Sequence, residues 1–349
     1  KDRNAHMKPL HRSIVAIATL AFIGSACGTS ENSTDTSIPT KESSITVYSG
    51  RSEELVKDLF TAFTTETGIS VNARYGDSGE MAALLMTEGS SSPADVFFSQ
   101  DAGALGAVED MLLQLPTQTL SKVNSKYSAK NGSWVGVTGR VRVVVYNPTL
   151  APNPPNTIDG LLDPKWSGKI GFAPTNASWQ SFVTALRVLR GEDGAEKWLA
   201  AFANNKPVAF EKNGAVRDAV NSGEVSLGLV NHYYLLEKLA AEGADAVTAK
   251  NQFMASGDVG GLVNVAGAGI LASAKNANAA QTFIDFLQGE TAVEYFRTKT
   301  WEYILTDGAT QAEGLPNFSE LNAPSIDLSN LKSLDVTQEL LQKVGLLTK

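Results

Sequence analysis

Two adjacent tyrosines, Tyr233 and Tyr234, follow the run Leu227-Gly228-Leu229-Val230-Asn231-His232. Their phenol oxygens, once deprotonated, are hard donors suited to a hard trivalent cation rather than to soft metals. Consecutive side chains point to opposite faces of a strand and diverge by about 100° on a helix. Both oxygens therefore meet at one point only where the backbone bends. The preceding run is apolar and bounded by Gly223, and Leu235, Leu236, Leu239 and Ala240 beyond have helical spacing. A strand-to-helix junction is expected, with Asn231 as its N-cap. Free N–H groups and partial positive charge at a helix start favour anionic oxygens. The competing reading of such a pair is half-buried packing, and the rest of the chain decides between them.

Three further groups could do chemistry. Asn176-Ala177-Ser178 precede a helical pattern carrying Phe182, Val183, Leu186 and Leu189, so small polar groups open a helix and suit either an oxyanion or ordinary capping. Arg140 and Arg142 alternate on one strand and share a face; Arg140, nearer the Thr138-Gly139 turn, is the better candidate to enter a cleft. Gly76-Asp77-Ser78-Gly79 has the form of a serine-protease nucleophile loop, but no histidine stands nearby to serve as its base, and a capped strand-to-helix turn explains it.

Composition narrows the classes. A net charge of −8 over 349 residues argues against a nucleic-acid partner. Of three histidines, His6 and His11 lie near the start, which leaves His232 alone beyond it. One histidine builds neither a catalytic triad nor a multi-histidine metal site. Residues Lys1 to His6 precede Met7 and read as a tag remnant. From Met7, basic Lys8, His11 and Arg12 lead into the apolar run Ile14 to Ile23, the pattern of a signal peptide too short to remain as a membrane span. Gly24-Ser25-Ala26 then precede Cys27, the single cysteine, at a position that resembles a bacterial lipoprotein cleavage and acylation site. Residues 28–43 are rich in Ser and Thr and read as a flexible linker.

The elements that must position these residues follow from periodicity. Ser44 to Ser49, Ile69 to Tyr75 and Ala94 to Phe98 read as strands, with helices over Glu53 to Glu66, Glu80 to Glu88 and Ala102 to Leu113. This β-α alternation implies a parallel sheet covered on both faces, with the loops 49–52, 76–79 and 99–101 along one cleft edge. Trp134 to Tyr146 reads as two strands joined at Thr138-Gly139-Arg140, and Leu262 to Leu271 as a buried strand pair. Leu331 to Leu347 has helical spacing.

Taken together, Ile45-Thr46-Val47-Tyr48-Ser49-Gly50, Ser92-Pro93-Ala94-Asp95-Val96-Phe97-Phe98, Gly139 to Tyr146, Gly168-Lys169-Ile170-Gly171, Lys212-Asn213, Asn231 to Tyr234 and Gly260-Gly261-Leu262-Val263 resemble, in order, the bacterial periplasmic ferric-ion-binding proteins of ABC importers. The resemblance implies an α/β, two-lobe periplasmic binding protein of type II, like half a transferrin, with two crossing hinge strands. It places 44–139 with 263–313 in the N-terminal lobe, and 140–262 with 314–349 in the C-terminal lobe. It implies Tyr233 and Tyr234 as ligands to Fe³⁺, and Asn176, Ala177 and Ser178 as holders of a synergistic anion, carbonate or phosphate. Arg140 would line the cleft, with Asn213 and Asn231 in its polar wall. Ser52 and Gln100 stand where the best-known members have a histidine and a glutamate ligand, so exogenous anion or water would supply more of the coordination, with Tyr75 or Asp101 contributing. The implied role is a non-enzymatic, exported, monomeric receptor. It would be lipid-anchored, periplasmic or on the outer face of the cytoplasmic membrane, and would deliver iron to an ABC permease. The alternatives are a metal-free receptor for an oxyanion or small organic anion, and a hydrolase using Ser78.

Overall fold

The computed structural model describes residues 43–347. The expected signal peptide, Cys27 and the linker up to residue 42 lie outside the described residues.

The chain opens with β1 (Ser44–Ser49), α1 (Glu53–Thr67), β2 (Ser70–Tyr75), α2 (Ser78–Glu88), β3 (Val96–Ser99), α3 (Ala102–Ala107) and α4 (Thr117–Leu120). Helix α1 forms because Val56, Leu59, Phe60 and Phe63 recur on one buried stripe, and it stops at Gly68 in the left-handed conformation. Its Phe60 and Phe63 meet Phe283 edge-on, at 5.6 and 5.1 Å between ring centroids. β1 pairs in parallel with β2 and β3, as the alternation predicts. Helix α3 is shorter than expected, because the chain tightens into a 3₁₀ turn at Glu109–Met111.

The long strand β4 (Val135–Tyr146) organises everything after it. Beyond it come β5 (Ile170–Phe172), α5 (Ala177–Asn204), β6 (Val208–Ala209), α6 (Asn213–Ser222), β7 (Leu227–Asn231), α7 (Tyr233–Glu242) and β8 (Lys250–Gln252). The chain closes with β9 (Val263–Ile270), α8 (Ala277–Leu287), α9 (Glu290–Tyr295), β10 (Tyr303–Ile304) and α10 (Leu334–Lys343). The strands form one ten-stranded sheet in the order β2-β1-β3-β9-β4-β7-β5-β6, with β10 and β8 also on β4. β4 pairs with β9 from Val135 to Val141 and with β7 from Arg142 to Tyr146. It therefore crosses between the halves of a two-lobe α/β fold at the step from residue 141 to 142. Phe172, Trp179, Phe182, Trp198 and Phe202, fully or almost fully buried, continue the same hydrophobic core around α5.

Three expectations are corrected. The sheet is mixed: β3–β9, β9–β4 and β4–β7 run antiparallel. Thr138-Gly139-Arg140 is not a loop but the middle of β4, where partners on both sides satisfy the backbone and a register shift between Gly136 and Thr138 absorbs the turn-like residues. Leu262 to Leu271 holds one strand rather than two; its glycines permit close packing, since a Cβ on Gly267 would lie 2.7 Å from the Val135 carbonyl oxygen. At the C-terminus, α10 packs on α5 while the turn at Leu328–Lys332 packs on α3, so the tail touches both halves. No helix among the described residues is long and apolar enough to cross a membrane.

Candidate metal centre

The tyrosines stand where β7 ends. Asn231 is still a strand residue, opposite Arg142 on β4, so the residue before the helix is His232 rather than Asn231. The bend brings the two half-buried phenol rings together, stacked at 4.4 Å between centroids with 26° between planes. Burial pushes the Tyr233 phenol well above its ordinary pKa; the Tyr234 ring and its hydrogen bond, together with Glu302, add to this, and Arg140 opposes it. A trivalent cation between the two oxygens would reverse that balance by taking the place of the protons.

His232 is fully buried and committed to backbone. Its Nδ1 accepts from the Val141 N–H at 3.1 Å, so Nε2 carries the proton and donates to the Trp301 carbonyl at 2.9 Å. Burial, only partly opposed by those bonds, lowers its pKa to about 4. It fixes the junction as a neutral group.

An amide and hydroxyl cluster lies at the start of α5. Asn176 caps the helix: its Oδ1 accepts from the Ser178 N–H at 3.0 Å, the Ser178 hydroxyl at 2.7 Å and Asn213 Nδ2 at 3.0 Å. Asn213 Nδ2 also reaches Ser178 Oγ at 3.1 Å, and Asn213 Oδ1 is buried without a partner. Ala177, the first helical residue, is exposed. The guanidinium that joins this cluster is Arg142, not Arg140. Its Nη1 donates to Ser178 Oγ at 3.3 Å and its Nη2 to the Leu229 carbonyl at 3.2 Å, over the Trp179 and Phe182 rings. Burial lowers the pKa of Arg142 to about 9, with Tyr234 pulling the other way.

Arg140 lies beside Glu302, a residue that sequence reasoning missed. The buried Glu302 carboxylate accepts from Arg51 Nη2 at 2.6 Å and the Thr300 hydroxyl at 2.9 Å, and its Oε1 is 3.8 Å from Arg140 Nε. Burial alone would raise its pKa, but Arg51 and Arg140 outweigh that and hold it below the ordinary carboxylate value. Arg140 Nε and Nη2 and Glu302 Oε1 are buried without hydrogen-bond partners. The available signal was a single acid inside the otherwise apolar run Trp301 to Leu305.

The loops at the ends of β1, β2 and β3 do share one edge. Ser78 Oγ donates to the Gly50 carbonyl at 3.3 Å and accepts from the Gln100 N–H at 2.9 Å, which leaves it tying loops together rather than poised as a nucleophile. A Cβ on Gly50 would overlap Ser78, so the close approach needs glycine there. Ser52 is exposed at the start of α1, and Gln100 is half-buried. Asp101 is engaged by three donors: Ser181 Oγ at 2.8 Å, Asn264 Nδ2 at 2.6 Å and the Ala104 N–H at 3.0 Å. Tyr75 stacks on Phe60 at 6.4 Å. Among the described residues no three His, Cys, Asp or Glu side chains group as a metal site.

A two-lobe α/β fold with these groups where the chain crosses between its halves is the architecture of a solute-binding protein. The chain belongs to the bacterial extracellular solute-binding protein family, whose model matches residues 45–302. It is 35% identical over 308 residues to an Fe(3+)-binding periplasmic protein of Serratia marcescens, covering 87% of this chain and 90% of that one. Iron-bound HitA from Pseudomonas aeruginosa superposes with a TM-score of 0.80 at 31% identity, covering 87% of this chain and 99% of that one. The Trichodesmium protein in complex with iron and citrate superposes at 0.76 and 28% identity, with the same coverage.

Proposed function

We propose that this protein captures Fe³⁺ with a synergistic anion outside the cytoplasm and delivers it to an ABC permease. Tyr233 and Tyr234 bind the metal as phenolates. Asn176, Ala177 and Ser178, with Asn213 and Arg142, hold carbonate, phosphate or a related oxyanion, as the citrate in the Trichodesmium neighbour suggests. Arg140 and Asn231 line the same site. Two phenolates and a dianion nearly balance a trivalent ion, so Ser52 and Gln100 can stay neutral, and Tyr75 and Asp101 serve at most as flanking donors. Residues 44–139 with 263–313 form one lobe and 140–262 with 314–349 the other, and they close by hinging where β4 and β9 cross. The protein is exported, acts as a monomer and is tethered at Cys27.

The observation that carries this reading is the stacked phenol pair at the β7–α7 bend, flanked by Arg140 and Arg142. Ferric iron added with bicarbonate is expected to give a visible phenolate-to-iron band that disappears in Tyr233→Phe and Tyr234→Phe. A protein that binds phosphate but develops no band would instead be a metal-free anion receptor.

A further inference from the structure

Trp301 is one of three non-glycine residues with positive φ among the described residues, at 49°, and it follows a π-helical turn at Phe296–Thr300. Both features are uncommon and concentrate at functional sites. The dipeptide Trp301-Glu302 meets the candidate metal centre at two independent points. The Trp301 carbonyl accepts from Nε2 of His232, the residue just before Tyr233, whose ring meets that of Tyr233 edge-on at 5.9 Å. The Glu302 carboxylate lies against Arg140, in the one ion pair or hydrogen bond made by the Arg140 side chain among the described residues. Glu302 is itself held by Arg51, which is wholly buried between the Phe98 and Phe296 rings and also donates to Thr138.

We infer that Trp301-Glu302 is the positioning element of the site: it orients Tyr233 and the Arg140 guanidinium without itself binding the metal. This rests on the ferric reading proposed above. Through His232, the Trp301 carbonyl fixes the backbone from which Tyr233 projects. Through its ion pair, Glu302 fixes the Arg140 guanidinium.

The test uses Glu302→Gln, which keeps the shape and can still accept from Arg51 and Thr300. The double variant Arg51→Met/Glu302→Gln removes the buried pair together, so that no charge is stranded if the single variant folds poorly. Glu302→Asp keeps the charge as a conservative rescue. Each protein is loaded with ferric iron and bicarbonate and titrated with citrate as competitor; its visible spectrum and the thermal midpoint of its iron-free form are recorded. Glu302→Gln and the double variant are expected to hold iron roughly tenfold or more weakly and to shift the band maximum, with Glu302→Asp intermediate. A purely packing role would move the thermal midpoint and leave the band of the folded protein where it is. Wild-type affinity and band position in either charge-removing variant overturn the positioning role. A wild-type protein without any band overturns the ferric reading instead.

Discussion

Replacing Arg142 by glutamine tests whether it, rather than Arg140, recognises the anion proposed above. Arg142 is 3% exposed, and the fall of its pKa from 12.5 to about 9 corresponds to roughly 5 kcal/mol of destabilisation of the cation by lost hydration. In the free protein two hydrogen bonds, to Ser178 Oγ and the Leu229 carbonyl, offset part of this. An oxyanion seated among Ser178, Asn213 and Arg142 would recover much of the rest, since a charge-assisted contact near 4 Å is worth about 4 kcal/mol at an effective dielectric of ~20. Arg142→Gln should therefore weaken phosphate binding to the iron-free protein by roughly 2–4 kcal/mol, about 30- to 1000-fold. It should also leave the fold nearly as stable, because the same change lifts the desolvation penalty. Titration calorimetry with inorganic phosphate, paired with thermal unfolding, reads both quantities. Unchanged phosphate affinity in Arg142→Gln, with loss in Arg140→Gln, would refute the assignment and return the role to Arg140.

Two further outcomes follow from the geometry. Because His232 has a folded pKa of about 4 against 6.5 when free, the unfolded chain binds the extra proton, and stability present above pH 6.5 is lost as pH falls toward 4, by about 3 kcal/mol in all. Urea unfolding at pH 7 and pH 4.5 should show this loss, and His232→Asn should flatten it; an equal slope in both proteins contradicts the buried neutral imidazole. Asp101→Ala strands the Ser181, Asn264 and Ala104 donors and should cost about 2–4 kcal/mol in urea unfolding; a cost below ~0.5 kcal/mol would show that these bonds do not form in solution.

Much of the site was legible because its chemistry is local. The bend before Tyr233 follows from a Gly-bounded apolar run giving way to helical spacing, and the Asn176 cap from small polar residues opening a helical pattern. What failed did so for a common reason. Thr138-Gly139-Arg140 looks like a turn by composition, yet β9 and β10 flank it and complete its hydrogen bonds. Arg140 and Arg142 share a face in sequence, and only the position of Ser178 and Glu302 sends them to different partners. Asp101 binds Ser181 and Asn264 across the fold, and nothing near it in the chain announces either.

The chain alone determined the alternation of elements and the coincidence of two phenols at one bend, since each depends on residues within a few positions of one another. The tertiary structure decided which guanidinium meets Ser178 and which lies beside Glu302. The Arg51–Glu302 pair spans 251 residues, and a contact of that kind has no periodicity to betray it: it exists only because the sheet order brings the end of β1, the middle of β4 and the segment before β10 to one buried point.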